Sequence, residues 1–126
     1  MNRHAVRLRA LRGAVTVDRN DAESILEGTE ELVREVMARN ELAPEDMVSC
    51  IFTCTPDLDA EFPAVAARKL GLDAVPLICA REIAVPEALP RVIRLMVHCY
   101  ADDGRLPQHV YLRGAAGLRR DLEGAQ

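Results

Sequence analysis

The sequence predicts an α+β fold: a mixed, mostly apolar β-sheet with helices on one face. Three observations carry this expectation. Residues 6–17, VRLRALRGAVTV, alternate apolar and basic side chains along a strand. Residues 21–39 place Ile25, Leu26, Leu32, Val33, Val36 and Met37 at helical spacing. The runs 47–54, 75–79 and 92–100 are strand-length, apolar and bounded by turn residues.

In the first strand, Gly13 marks a place where another element comes close to the backbone. The helix that follows has Asp18, Asn20 and Asp21 as candidate N-caps. Glu23 and Glu27 suit the positive end of its dipole, and Asn40 closes it. Pro44-Glu45-Asp46 opens a turn into MVSCIFTC, a run apolar enough to be buried on both faces. Thr55-Pro56-Asp57 breaks that strand. A short helix is expected from about Pro63 to Leu70, with Gly71 as its stop. Val75–Cys79 is a third strand, and Pro86 and Pro90 bracket a short helix or turn. VIRLMVHCY, 92–100, is a fourth strand, Asp102-Asp103-Gly104 a turn, and His109–Leu112 a last strand. The rest is expected to be a mobile tail, most of all 119–126. No repeat or second domain is visible, so residues 1–126 are expected to form a single domain.

Only two helices are available to cover this sheet. Its other face must meet something else, most simply further copies of the chain, so a homo-oligomer with sheets packed inward is expected. Arginines at strand ends would then border the clefts between subunits.

Composition narrows the function. Of the 16 basic residues only Lys69 is a lysine, yet the net charge is −4. No basic block suggests nucleic acid. No apolar run approaches the roughly 20 residues of a membrane span, and MNRHAVRLRALRG lacks the apolar run of a signal peptide. A cytoplasmic protein is expected. Cys50, Cys54, Cys79 and Cys99 lie in strand-like runs without the paired spacing of a zinc site, so they are expected to be reduced thiols with no metal. His4, His98 and His109 are dispersed, and no Ser-His-Asp order stands out. His109 is expected to be structural or rim-forming. Arginines at positions 12, 68, 94 and 119 are more suggestive. A guanidinium grips carboxylates in a two-pronged way, as a small dianion would require.

Five segments then point to a family. LRGAVTV at 11–17, TPDLDAEFPAVAAR at 55–68, VPLICAREI at 75–83, RVIRLMV at 91–97 and HVYLRGAAGLRRDL at 109–122 resemble the monofunctional AroH-class chorismate mutases. Each piece is weak alone; five in order over residues 8–122 are specific. The resemblance implies a pseudo α/β-barrel homotrimer with active sites between subunits. It implies the Claisen rearrangement of chorismate to prephenate, in phenylalanine and tyrosine biosynthesis, without a cofactor. That reaction is unimolecular and needs orientation and fixed charge rather than a nucleophile.

The resemblance also assigns roles. Arg94 would face the ether oxygen of the substrate, and Arg12 would grip its side-chain carboxylate with help from the Tyr111 hydroxyl. Glu82 would accept a hydrogen bond from the ring hydroxyl, which the backbone of Cys79 would also reach. Phe62, Ala64, Leu77 and Ile78 would form pocket wall, with Phe62 from the neighbouring subunit. Arg68, Leu118 and Arg119 would cover the mouth. The chain departs from the pattern at Val65, where some relatives carry lysine, and at Ile78, where they carry a small polar residue. Pro86-Glu87-Ala88 replaces a glycine-containing turn. The competing expectation is a non-catalytic module that binds an aromatic-pathway carboxylate. Arg94 and Glu82 together argue against it, because holding a dianion gives no reason for a carboxylate in the pocket.

Overall fold

A computed structural model describes residues 5–118. Five strands form one sheet: β1 (Val6–Thr16), β2 (Met47–Cys54), β3 (Leu77–Arg81), β4 (Val92–Asp102) and β5 (Val110–Leu112). Their order is β3-β2-β4-β1-β5. β4 lies antiparallel between β1 and β2, while β2–β3 and β1–β5 pair in parallel. The mixed sheet follows from the connections. Parallel pairs need long crossovers, and the chain supplies one between β2 and β3 that contains the short helix α2 (Ala64–Ala67).

Helix α1 (Ala22–Arg39) lies on one face of the sheet. Asp21 caps it, its Oδ1 accepting the Ser24 N–H at 2.7 Å. That bond holds the Asp21 carboxyl below its ordinary value. Asn40 ends the helix and does more than stop it. Its Nδ2 donates to the Val36 and Gln108 carbonyls, and its Oδ1 accepts the Gln108 N–H. The buried helix end is thereby tied to the segment that leads into β5.

The core fills the space between α1 and the sheet. Ile25, Leu32, Val33 and Val36 meet Leu11, Val15, Phe52, Ile93, Leu95 and Val97, all buried. Gly13 allows this approach: a Cβ there would lie 3.1 Å from Leu32 Cδ1. The opposite face is open. It carries Leu8, Ile78 and Tyr100, each more than half exposed.

Several expectations need correction. β2 is buried on one face only: Met47, Cys50, Phe52 and Cys54 are covered, whereas Ile51 and Thr53 sit on the open face and Val48 is exposed. Apolar composition overstated its cover because the open face has no helix. β3 starts at Leu77, not Val75, and runs on to Arg81. Pro76 has no N–H to donate and instead offers its carbonyl to the Cys50 N–H at 3.0 Å. α2 is one turn long and passes into a wide turn at Arg68–Leu72, where Gly71 takes φ 93°. Between Pro86 and Pro90 the chain turns without a helix. After Leu112 it is not loose: a 3-10 turn, Arg113–Ala115, leads into helical residues 116–118. Ala115 is fully buried there, and the Gly114 N–H donates to Thr16 Oγ1 at 2.9 Å. The tail expected at 119–126 lies outside the described residues.

Candidate active site

Pleat alternation decides which side chains reach the open face. In β4 these are Val92, Arg94, Met96, His98 and Tyr100. The register then sets one row across the sheet: Ala80 beside Thr53, Thr53 beside Arg94, Arg94 beside Ala14, and Ala14 beside Tyr111. At the usual strand spacing, Thr53 and Tyr111 stand about 14 Å apart along this row. Ala14 is the floor between Arg94 and Tyr111, and its small side chain leaves the space above it open.

That space is a cavity of about 310 Å³. It is lined by Arg12, Arg94 and Tyr111, with Thr53, Met96 and Leu118 around them. Arg12 enters from the neighbouring row, opposite Met96. Its backbone N–H is held at 3.1 Å by Nδ1 of His109, just before β5. Among the described residues, Arg12 makes no ion pair.

Glu82 sits one residue past the end of β3 and reaches back over the row. Its Oε2 accepts the Thr53 hydroxyl at 2.6 Å and lies 3.1 Å from Arg94 Nε. Arg94 Nε also donates to Glu82 Oε1 at 3.2 Å. The carboxylate is mostly shielded while the guanidinium is nearly half exposed. This leaves the terminal nitrogens of Arg94 for something in the cavity, since a guanidinium has five donors and Nε is only one. The result is a cavity with Arg12 and Tyr111 toward one side and the paired Arg94 and Glu82 at the other. It suits a small dicarboxylate whose charge shifts along its length.

The four residues expected to carry the chemistry, Arg12, Glu82, Arg94 and Tyr111, therefore converge within one chain, with Leu118 beside them. The others do not join them. Ala64 is buried in the core, because Pro63 starts α2 and turns Ala64 inward. Leu77 also packs against the core, since its register partner Cys50 faces α1. Neither side chain is pocket wall in a single chain. Ile78 is on the open face, beside Ile51 but outside the cavity lining. Phe62 is exposed and lines a separate cleft of about 350 Å³ with Cys54, Cys79 and Arg81. Arg68 is exposed on the turn after α2, and Arg119 lies outside the described residues.

Cys50, Cys54 and Cys99 are not nucleophiles in waiting. Burial pushes Cys50 and Cys54 up to about 12 and raises Cys99. No group of three or more His, Cys, Asp or Glu suited to a metal occurs among the described residues. No helix among them is long and apolar enough to cross a membrane. Sequence reasoning missed Thr53 and the Arg12–His109 bond. The signal for Thr53 was present as the one hydroxyl within CIFTC that shares the parity of Ile51.

Comparison with known proteins identifies the family. Residues 8–122 match the family model described as chorismate mutase type I. Chorismate mutase AroH of Thermus thermophilus is 45% identical over 121 residues, covering 94% of this chain and 99% of that protein. Its namesake in Bacillus subtilis is 41% identical over 120 residues, covering 91% and 92%. A solved chorismate mutase from Clostridium thermocellum superposes with a TM-score of 0.84 at 45% identity, over 86% of this chain and 98% of that one. With match lengths and identities of this size, the chain belongs to the type I chorismate mutase family.

Proposed function

We infer that this chain is an isomerase that rearranges chorismate to prephenate, serving aromatic amino acid biosynthesis. The observation that carries this is the joint presence of Arg94 and Glu82, bonded to each other, at the end of a cavity that also holds Arg12 and Tyr111. The rearrangement breaks an ether bond as a carbon–carbon bond forms, within one molecule. Negative charge grows on the ether oxygen and positive character on the ring. A cation at the oxygen and a carboxylate near the ring both gain in the transition state, which is the condition for acceleration.

In this reading Arg12 and the Tyr111 hydroxyl hold the side-chain carboxylate. They keep the flexible substrate in its compact reactive shape. A terminal nitrogen of Arg94 faces the ether oxygen, and Glu82 accepts the ring hydroxyl. No step needs a proton relay.

The wall is completed by a neighbour. Phe62 is a large, exposed apolar side chain beside a cleft, and the open sheet face carries further exposed apolar residues. A homotrimer with sheets inward would cover that face and bring Phe62, with Arg68, to the cavity of the adjacent subunit. Leu118 and Arg119 would close its mouth. A cytoplasmic location, with no nucleic-acid or membrane partner, completes the proposal.

The test is direct. Purified protein is mixed with chorismate, and loss of its absorbance and formation of prephenate are followed. Conversion by the unmodified chain that is lost in Arg94→Ala supports the reading. A folded protein that binds chorismate and leaves it unchanged would make it a binding module instead.

A further inference from the structure

The inference begins with how Glu82 is held. It lies just beyond the end of β3, and two consecutive residues of the neighbouring strand hold it. The Glu82 N–H donates to the Cys54 carbonyl at 2.8 Å. The Glu82 carboxylate accepts the Thr53 hydroxyl at 2.6 Å. Backbone and side chain are thus fixed from β2. Thr53 is also the direct register partner of Arg94, so the same residue sets the carboxylate against the cation.

We propose that Thr53 is a positioning residue for the reaction: its hydroxyl holds Glu82 off a closer collapse onto Arg94 and aims it at the substrate ring. This rests on the chorismate mutase reading above. The physical reason is competition. Arg94 Nε already reaches both oxygens of Glu82, at 3.2 and 3.1 Å. With no third partner the pair would settle into a two-pronged fork, the geometry that guanidinium and carboxylate prefer. That fork would take a terminal nitrogen of Arg94 away from the ether oxygen and turn Glu82 from the ring. The Thr53 hydroxyl takes part of the acceptor capacity of Oε2 and draws it toward β2, which weighs against that fork. Thr53 is half-buried in a strand whose neighbours are fixed, so its donor is preorganised. It needs no contact with substrate.

Thr53→Val keeps the shape and the β-branch and removes only the donor. Thr53→Ser restores the donor with one methyl fewer. Kinetics with chorismate should show kcat down about tenfold or more in Thr53→Val, the size expected for a lost hydrogen bond to a charged group. KM should change little, because Arg12 and Tyr111 are untouched. Thr53→Ser should recover most of the turnover, and thermal melting should be similar in all three. Crystal structures of the unmodified chain and Thr53→Val accompany the kinetics. They should show Glu82 turned onto Arg94 as a two-pronged pair in the variant alone. Unchanged kcat in Thr53→Val overturns the proposal. So does a loss shared by Thr53→Ser together with a lowered melting temperature, which would be a packing effect. If the unmodified chain does not convert chorismate, the functional reading fails. The crystal structures then decide the placement of Glu82 on their own, and an unmoved carboxylate overturns the role of Thr53.

Discussion

Arg94 Nε lies 3.1 Å from Glu82 Oε2, so the cation and the carboxylate of the site are joined before any substrate arrives. The arginine of this pair is nearly half open to water, and as an ion pair it adds little to stability. Its value is geometric. It engages the Nε–H with Glu82 and leaves the two terminal nitrogens uncommitted to that carboxylate.

Arginine and lysine should therefore not be interchangeable at position 94. A lysine keeps the charge, but its single ammonium cannot hold Glu82 and reach the ether oxygen in a fixed fork. Arg94→Ala is expected to lower kcat by about 10²–10³-fold or more. Arg94→Lys should recover only a minor part of that loss, with the melting temperature unchanged. Steady-state kinetics on both variants checks this. A lysine variant close to normal turnover would reduce Arg94 to a simple point charge.

The C-terminal segment divides into two parts with different expected roles. Residues 113–118 are anchored: Arg113 Nε donates to Glu31 at 2.9 Å, its Nη1 donates to the Thr16 carbonyl at 3.2 Å, and Ala115 is buried. Leu118 lines the cavity. Truncation after Leu118 should raise KM for chorismate more than it lowers kcat, because Arg119 is lost and the chemistry is not. Truncation after Leu112 should also lower the melting temperature, since it uncovers Ala14 and Val92, which Ala115 packs against. An unchanged KM in the shorter truncation would remove the tail from substrate capture.

What the sequence disclosed follows from what acts locally. Alternation in 6–17 and 92–100 and the helical stripe in 21–39 are short-range patterns, and those elements appear where the patterns place them. The limits of β3 depended on Pro76, whose effect is legible only once Cys50 is known to pair with it. The helical turn after Leu112 has weak local preference and exists because Thr16 and Glu31 receive it. The convergence of Arg12, Glu82, Arg94 and Tyr111 was available only through resemblance, since strand order is a long-range property. The side-chain directions of Ala64 and Leu77 were missed for the same reason: each depends on which neighbour its element packs against. Thr53 went unnoticed because its parity with Ile51 gains meaning only once its register partner Arg94 is known.

Gly28 is a packing constraint within α1. A Cβ there would lie 2.5 Å from Val17 Cγ1. Valine is stiff at χ1 and cannot swing away at little cost. Overpacking of this kind costs about 1–3 kcal/mol, while replacing glycine by alanine within a helix returns up to about 1 kcal/mol. Gly28→Ala should therefore destabilise the fold by about 1 kcal/mol net, read from urea unfolding. Because Val17 immediately follows β1 and its N–H is tied to the Arg91 carbonyl at 3.0 Å, the strain should reach the edge of the site as well. A stabilised variant would mean that the helix and β1 separate more readily than the packing implies.

The buried thiols give a pH dependence whose sign is fixed. Cys50 and Cys54 flank Phe52 on the covered face of β2, and burial moves both from an ordinary value of 9.0 up to about 12. Between those values the unfolded chain releases thiol protons that the folded chain keeps. The folded state then binds more protons, so stability falls as pH rises. Well below 9 the slope from these two groups should fade, because the unfolded thiols then keep their protons as well. Other groups also titrate above pH 9, so the comparison that isolates the thiols is with a Cys50→Ala, Cys54→Ala double variant. Its absolute stability should be lower, because small cavities replace the sulfurs. Its decline between pH 8.5 and about 10.5 should be shallower than that of the unmodified chain. Urea unfolding at steps of pH measures both slopes, and parallel slopes would show that the thiols titrate alike in the folded and unfolded chains.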